Sequence, residues 1–436
     1  MLRSPGPEHP SGGLLLAPFR GLRYAPDRVG SLAAVTSPPY DVVVRPDGLH
    51  HLQTADPHNI VRLILPEAAD PAARHLQAAR TLRRWETQGV LVRDPEPALY
   101  VYEQRRGDVL QRGLIGALRL TPPEEGVVLP HEDVMPEVVE DRAALMRETA
   151  ANLEPLLLSY RGDGTATGAT AVIERTTGRP PLLSTTTEDG FSHRLWAVTD
   201  EQEIAEAGHD LSRRQALIAD GHHRWATYLR LRSERVGGAA GPHGFWDHGL
   251  VLLVDTARYP LRVQAIHRVL PRLTVAEALS RLGGSFRVRT VDGPLPRALR
   301  TLETTPGNAF LLTGDGSFHL LHDPDPALLA RTVRDGLPEE WRRLDATVLH
   351  STLLAAVWHV PDNSSGIGYL HDAAAAVEQA ERLGGSAVLM RAVAEETVRG
   401  LARQGVTMPR KSTSFGPKPA TGLVLRALDG LPEGPA

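Results

Sequence analysis

The segment Ala216-Leu217-Ile218-Ala219-Asp220-Gly221-His222-His223-Arg224-Trp225 places an acid, a glycine, two imidazoles and a guanidinium in succession behind an apolar run. A strand that ends in a glycine turn and passes into a helix leaves several backbone N–H groups aimed at one spot. The helix dipole adds about half a positive charge there. Gly221 lets an anion approach the main chain, and Arg224 can fork onto its oxygens, so the spacing predicts a phosphate-binding turn. The competing reading makes Asp220 an ordinary N-cap and the histidines surface residues.

Four other groups carry possible chemistry. Pro130-His131-Glu132 follows the strand-like Val127-Val128-Leu129, where His131 or Glu132 can serve as a base or magnesium ligand, or simply belong to a solvated acidic loop. Downstream, Asp141-Arg142 reads as helix surface, since adjacent helical residues do not face each other. Pro38-Pro39-Tyr40-Asp41 and Asp56-Pro57-His58-Asn59-Ile60-Val61-Arg62-Leu63 set Asp41, Asn59 and Arg62 beside apolar, strand-like residues. His267-Arg268, inside an apolar strand, is a structural pair or a ligand contact. The last group is Met408-Pro409-Arg410-Lys411-Ser412-Thr413-Ser414-Phe415-Gly416-Pro417-Lys418. Of 48 basic residues only Lys411 and Lys418 are lysines, so this loop holds every compact ammonium of the chain, beside hydroxyls suited to phosphate.

Absences narrow the chemistry. No cysteine means no disulfide, thiolate metal site or thiol nucleophile. Neither lysine follows the glycines of a Walker A loop, no two histidines stand four apart as in a zincin helix, and no nucleophile elbow or dinucleotide fingerprint occurs. A formal charge of −4 argues against a nucleic-acid partner. No apolar run approaches the roughly 18 residues of a membrane span and the opening lacks a secretory signal, so a cytoplasmic protein without a membrane partner is expected.

The elements that must position these groups read as α/β. Asp70-Pro71 starts, and Gly89 ends, an amphipathic helix over 71–88 with Leu76, Ala79, Leu82 and Trp85 on one face. Ala98–Gln104 and Leu110–Leu120 alternate around Arg106-Gly107-Asp108 as a hairpin. Residues 161–190 and 233–244 read as Gly/Thr/Pro-rich loops, with Gly237-Gly238 ending the helix that follows Trp225. Beyond, 250–254, 262–270 and 386–390 read as strands, 338–358 and 391–403 as helices, and 422–426 as a final strand. The first dozen residues and the tail after Asp429 read as disordered. The division falls near 240, giving domains 14–240 and 241–428, the second contributing the Lys411/Lys418 loop.

IADGHHR, LPHE followed by EDR and NLEP, and MPRKST followed by FGPK and GLV resemble the boxes of a large bacterial family catalogued as a domain of unknown function, over about Tyr40 to Val424. Gly221 to Arg224 is also similar to the phosphate-binding Gly-x-x-Arg box of the ParB/sulfiredoxin superfamily, which includes kinases of free L-serine with a similar Asp-Gly-His box. The resemblance implies a ParB/sulfiredoxin-like, nucleotide-binding core in the first half and phosphoryl transfer from ATP or ADP to the hydroxyl of a free amino acid, L-serine foremost. Sulfiredoxin chemistry is excluded for want of cysteine, and no basic helix-turn-helix supports chromosome partitioning.

On this reading Gly221, His222, His223 and Arg224 hold phosphates with Lys411, Ser412 and Lys418, and Asp220 or Glu132 binds Mg²⁺. Asp41 or Glu132 is the base, with Asp220 and His223 also at the chemistry, and Asn59, Arg62, His131, His267 and Arg268 meet the substrate. Arg224→Ala should abolish nucleotide binding and spare the fold. One departure stands at Val44-Arg45-Pro46-Asp47, where the resemblance leads one to expect glutamates. The rival readings are a nucleotide-sensing regulator without turnover and a metal-dependent hydrolase ligated by His131, Glu132, His222 and His223.

Overall fold

Apolar strands carry the first unit of the computed structural model, which is described for residues 12–43, 47–236, 245–363 and 365–428. The predicted disordered ends, Val44-Arg45-Pro46 and the helix stop at Gly237-Gly238 lie outside the described residues. The first unit is made of the chain up to Pro130, Val134–Leu261 and the segment from Pro417 onward; the second is made of His131–Asp133 and Arg262–Gly416.

In chain order the first unit's main strands are Leu16–Ala17 (β1), Leu99–Arg106 (β2), Val109–Arg119 (β3), Val128–Leu129 (β4), Leu156–Tyr160 (β5), Leu183–Thr186 (β6), Ser192–Val198 (β7), Ala216–Asp220 (β8) and His248–Asp255 (β9). They form a nine-stranded mixed sheet in the order β4-β8-β5-β9-β3-β2-β7-β6, with β1 paired to β3. Every residue of β5 and β8 is buried, as expected of strands covered on both faces. The hairpin β2–β3 turns at Gly107, whose φ of +57° suits glycine. The longest helices of this unit are Arg74–Thr87 (α1), Pro136–Thr149 (α2), Gly168–Thr177 (α3), Glu201–Leu211 (α4) and His222–Val236 (α5), with α1 packed on α2, α2 on α5 and α3 on α4.

The helix expected over 71–88 begins with a 3-10 turn, Pro71–Ala73, capped by the Asp70 carboxylate accepting from Ala72 N–H, before α1 proper. Ala79, Leu82 and Trp85 are buried, but Leu76 is exposed: it lies on the face turned from the core. The loop expected over 161–190 contains α3 and β6. Ala169, Val172 and Ile173 at helical spacing bury one face of α3, a signal hidden among the surrounding Thr and Gly. A division at 240 separates β9 from a sheet in which it lies between β5 and β3; the break between units falls instead after Leu261, and Lys418 returns to the first unit.

The second unit is also α/β. Its strands His267–Leu270 (β10), Arg287–Thr290 (β11), Ala309–Thr313 (β12), Phe318–His322 (β13), Gly368–Leu370 (β14) and Ser386–Leu389 (β15) form an antiparallel sheet ordered β11-β13-β12-β15-β10-β14. Leu295–Thr304 (α6) and Ala373–Leu383 (α7) send Ala298, Leu302, Ala376 and Ala380 into one core cluster, while Leu349, Leu353 and Leu354 belong to another with Phe310 and Trp358. The single helix expected over 338–358 is three pieces, Glu339–Arg342, Asp345–Val348 and a π-helix Leu349–Val357. The helix expected from Arg391 begins only at Glu395, and the last strand is Arg426–Ala427, paired with Ala151–Asn152.

Candidate functional site

The buried end of β8 fixes Asp220, and α5 starts two residues later. Between them Gly221 has a φ of +101°, and a Cβ there would stand 2.8 Å from Leu156 Cγ and within 3.2–3.3 Å of the Arg224 guanidinium, so both backbone and space require glycine. One turn into α5, Arg224 is 4% exposed. Its Nη2 donates to Asp220 Oδ2 at 2.6 Å, and its Nη1 donates to Pro155 O at 3.3 Å and lies 3.9 Å from Glu154 Oε1. Arg224 thus braces the turn from inside, where the sequence suggested a fork open to a ligand. Its Nε is buried with no hydrogen-bond partner among the described residues.

The returning segment supplies Lys418. Gln104 Nε2 donates to Pro417 O and Lys418 O, Gln111 Nε2 donates to Pro417 O, and Tyr102 Oη accepts from Ala420 N–H, which ties this segment to the β2–β3 hairpin. Thr421 and Ser37 then exchange backbone hydrogen bonds, bringing the Pro38–Asp41 stretch alongside. Lys418 Nζ stands 2.6 Å from Asp41 Oδ2 and 2.5 Å from Asp220 Oδ1, an ammonium held between two carboxylates. Asp41 is the accessible member, its side chain 39% exposed against 9% for Asp220.

The electrostatics follow from this packing. Burial alone would push the Asp41 carboxyl up, but Lys418 and then Arg224 outweigh it and hold it below the ordinary aspartate value. Burial opposes charge on Lys418, yet Asp220 and Asp41 keep its ammonium above the ordinary lysine value. Arg224 is likewise held charged against burial by Glu154, Asp220 and Asp41. Burial raises Glu154 above the ordinary glutamate value, against the opposing pull of Arg224 and of a hydrogen bond from Tyr40 N–H at 2.9 Å. His222 is pushed down to about 3 by burial, His223 and Lys418, so it is neutral at physiological pH. His223 Nε2 accepts from Met135 N–H at 3.1 Å, which leaves its proton on Nδ1.

The structure therefore brings together Asp41, Asp220, Gly221, His222, His223, Arg224 and Lys418 in the first unit. Glu154 and Tyr40 join them without having been picked out as site residues, although both lie in the sequence boxes NLEP and PPYD. The Tyr40 ring has Arg142 Cζ at 4.6 Å and Arg224 Cζ at 5.7 Å, and burial pushes its hydroxyl up to about 12.

Asn59 does not fit a substrate role: its Nδ2 donates to Ala34 O and Thr36 O, and its Oδ1 accepts from Val61 N–H, so its amide is spent on joining loops. Arg62 lies in the helical turn Val61–Ile64, where a strand was expected, and donates to Gln53 O at 2.6 Å. His131, Glu132, Lys411, Ser412, His267 and Arg268 belong to the second unit. There Thr413 Oγ1 donates to Glu132 Oε1 at 3.1 Å and lies 3.0 Å from His131 Nε2, while Ser412 Oγ donates to Pro409 O. Exposed Lys411 adopts a φ of +55°. The two lysines that the sequence presented as a pair thus belong to different units.

His267 Nδ1 accepts from Met390 N–H, and the fully buried Arg268 places Nε and Nη2 at 3.2 and 3.0 Å from His350 Nε2 on the π-helix, a structural tether between strand and helix. Among the described residues no group of three His, Cys, Asp or Glu side chains is placed to hold a metal ion. Asp220 has Oδ1 on Lys418 and Oδ2 on Arg224, so a magnesium ion there would compete with two cations.

Residues 16–347 match the family described as "Protein of unknown function (DUF1015)". The chain belongs to that family. No curated protein matches it. Among solved structures it is similar to a free serine kinase in complex with AMP, at 17% identity and a TM-score of 0.33, covering 66% of this chain and 83% of that one. A conserved hypothetical protein from Pyrococcus furiosus aligns at 16% identity and a TM-score of 0.32, covering 66% and 87%. SbnI with a C-terminal truncation, from Staphylococcus aureus, aligns at 9% identity and a TM-score of 0.34, covering 72% and 87%. Among the described residues no helix is long and apolar enough to cross a membrane.

Proposed function

We propose that the first unit binds the phosphates of ATP or ADP at the start of α5 and transfers a phosphoryl group to the hydroxyl of a free amino acid, with L-serine the first acceptor to test. The observation that carries this is the junction at Gly221: a glycine forced by backbone and space, over a buried guanidinium whose Nε lacks a partner, at a helix N-terminus beside Lys418. Oriented main-chain donors, a dipole and an ammonium are what a phosphate chain needs. The ParB/sulfiredoxin-like character implied by the Gly221–Arg224 box agrees with this reading.

In this scheme Lys418 neutralises charge on the phosphates, Arg224 keeps Asp220 and the turn in place, and Asp41 takes the acceptor's hydroxyl proton. The acceptor oxygen forms its bond to phosphorus as the bond to the nucleotide's leaving oxygen breaks. Asp41 suits the role by being ionised near neutral pH, accessible and in the same unit as Asp220 and Lys418. Asp41, the more exposed of the two carboxylates, is the residue of this cluster that would hold Mg²⁺, which would supply charge neutralisation at the nucleotide phosphates.

The test is incubation of the full chain with Mg²⁺, L-serine and either ATP or ADP, read by mass spectrometry. Phosphorylated serine supports the proposal. Nucleotide binding without product supports the regulatory alternative, and the absence of both binding and product refutes both.

A further inference from the structure

Lys418 is flanked by Pro417 and Pro419, which leave it the only N–H donor of that tripeptide and hold its backbone extended. Such a stretch cannot complete a strand ladder, so side chains must hold it. The main sheet supplies them as a polar row. His193 on β7 stands opposite Gln104 on β2, Gln104 stands opposite Gln111 on β3, and Tyr102 lies two residues before Gln104 on the same face. All four are at most 3% exposed, in a place where strands ordinarily bury apolar side chains.

Their hydrogen bonds run in one consistent direction. Main-chain carbonyls only accept, so Gln104 Nε2 donates to Pro417 O and Lys418 O, both at 3.2 Å, and Gln111 Nε2 donates to Pro417 O at 3.0 Å. Both amides are thereby oriented, and Gln111 Oε1 accepts from Gln104 Nε2 at 2.5 Å. Tyr102 Oη accepts from Ala420 N–H at 3.2 Å, so its own proton goes to His193 Nδ1 at 2.9 Å. His193 then carries its proton on Nε2, 2.9 Å from Thr187 Oγ1, which donates to Asp189 Oδ1 at 2.6 Å. Burial outweighs Asp189 and pushes His193 down to about 4, so Nδ1 remains an acceptor near neutral pH.

The held main chain fixes where the ammonium lies. Lys418 Nζ meets Asp41 Oδ2 at 2.6 Å and Asp220 Oδ1 at 2.5 Å, and a backbone displacement of about 1 Å would carry either contact beyond hydrogen-bond range. We propose that Gln104 is a positioning residue for the anion site: with Gln111 and Tyr102 it sets the main chain of Lys418, and through it the ammonium bridge between Asp41 and Asp220. The bridge stands apart from any ligand, whereas the consequence for nucleotide affinity rests on the nucleotide reading given above.

The test uses the full chain labelled with ¹⁵N in lysine alone. Only Lys411 and Lys418 are lysines, so two ammonium groups are present, told apart with Lys418→Met. NMR of the unaltered chain should show a Lys418 ammonium protected from exchange with water. Gln104→Met, which keeps the length of the side chain and loses the amide, should quicken that exchange at least about threefold while circular dichroism shows the fold retained. If Gln104→Met does not fold, Tyr102→Phe, which removes the acceptor for Ala420 N–H, decides by the same measure. Unchanged exchange in the folded variant, or no protected signal in the unaltered chain, would overturn the proposal. Calorimetric titration with ADP and Mg²⁺ completes a cycle: Gln104→Met should weaken binding at least about threefold, and this loss should vanish in the Lys418→Met background. An equal loss in both backgrounds would show that Gln104 acts on the fold at large, and would also overturn the proposal. A quickened ammonium exchange in a chain that binds no ADP would support the positioning role and remove the nucleotide reading alone.

Discussion

Replacing Lys418 by methionine keeps the stem and removes the ammonium that lies 2.6 Å from Asp41 and 2.5 Å from Asp220. Stripping one partner from a fully buried pair costs about 3–5 kcal/mol, while exposed pairs contribute about 0–1 kcal/mol. Asp220 is nearly buried but keeps Arg224 on its other oxygen, and Asp41 can hydrate, so the expected loss lies between these limits, at about 1.5–3 kcal/mol. The loss should depend on pH. Asp41 is depressed in the folded state, so its stabilisation is present above its unfolded pKa of about 3.9 and disappears as pH falls through its folded value. Lys418 is raised, so its share is present below its unfolded pKa of about 10.4 and is lost as pH rises through the folded value. Urea unfolding of both proteins from pH 3 to pH 10 should show a difference that is full from about pH 5 up to about pH 10 and shrinks as pH falls toward 3. A difference below about 0.5 kcal/mol at pH 7, or one that does not vary with pH, would refute the geometry assigned to this lysine.

Gly221→Ala combines a positive φ with a Cβ 2.8 Å from Leu156 and should destabilise the first unit by about 1–3 kcal/mol in thermal or urea unfolding. The expectation that Arg224→Ala spares the fold is revised: the variant strands Asp220 and Glu154 in the interior, and a loss of about 3–5 kcal/mol should appear in urea unfolding alongside any loss of binding. His222, neutral down to about pH 3, should show no imidazole titration between pH 4 and pH 8 by NMR, so any change in ligand affinity over that range belongs to another group.

Strand β8, the glycine turn and α5 were legible because a buried strand, a turn and a helix start each leave a local pattern, and the hairpin around Gly107 was legible for the same reason. The roles inside the site were less so. Arg224 carries the same sequence signature whether it faces a ligand or Asp220, and only the packing of Glu154 and Pro155 against it decides. Lys418 stood out through composition, but its partner Asp41 is distant in sequence and reaches it through the Ser37–Thr421 bridge. Lys411 and Lys418, close in sequence, fall in different units because the chain leaves one unit and enters the other between Gly416 and Pro417, with no composition change to mark the passage. Asn59 looked like a ligand residue because a buried amide that joins loops has the same residue type as one that reads a substrate.

The central claim is that the start of α5 and Lys418 together form an anion site for a nucleotide. Calorimetric titration of ADP with Mg²⁺ into the full chain and into a folded Lys418→Met variant tests it most directly. Saturable binding to the first, weakened at least about tenfold in the second, a loss of about 1.4 kcal/mol, is the predicted result. Equal affinity in the two proteins, or no binding to the unaltered chain, would contradict it.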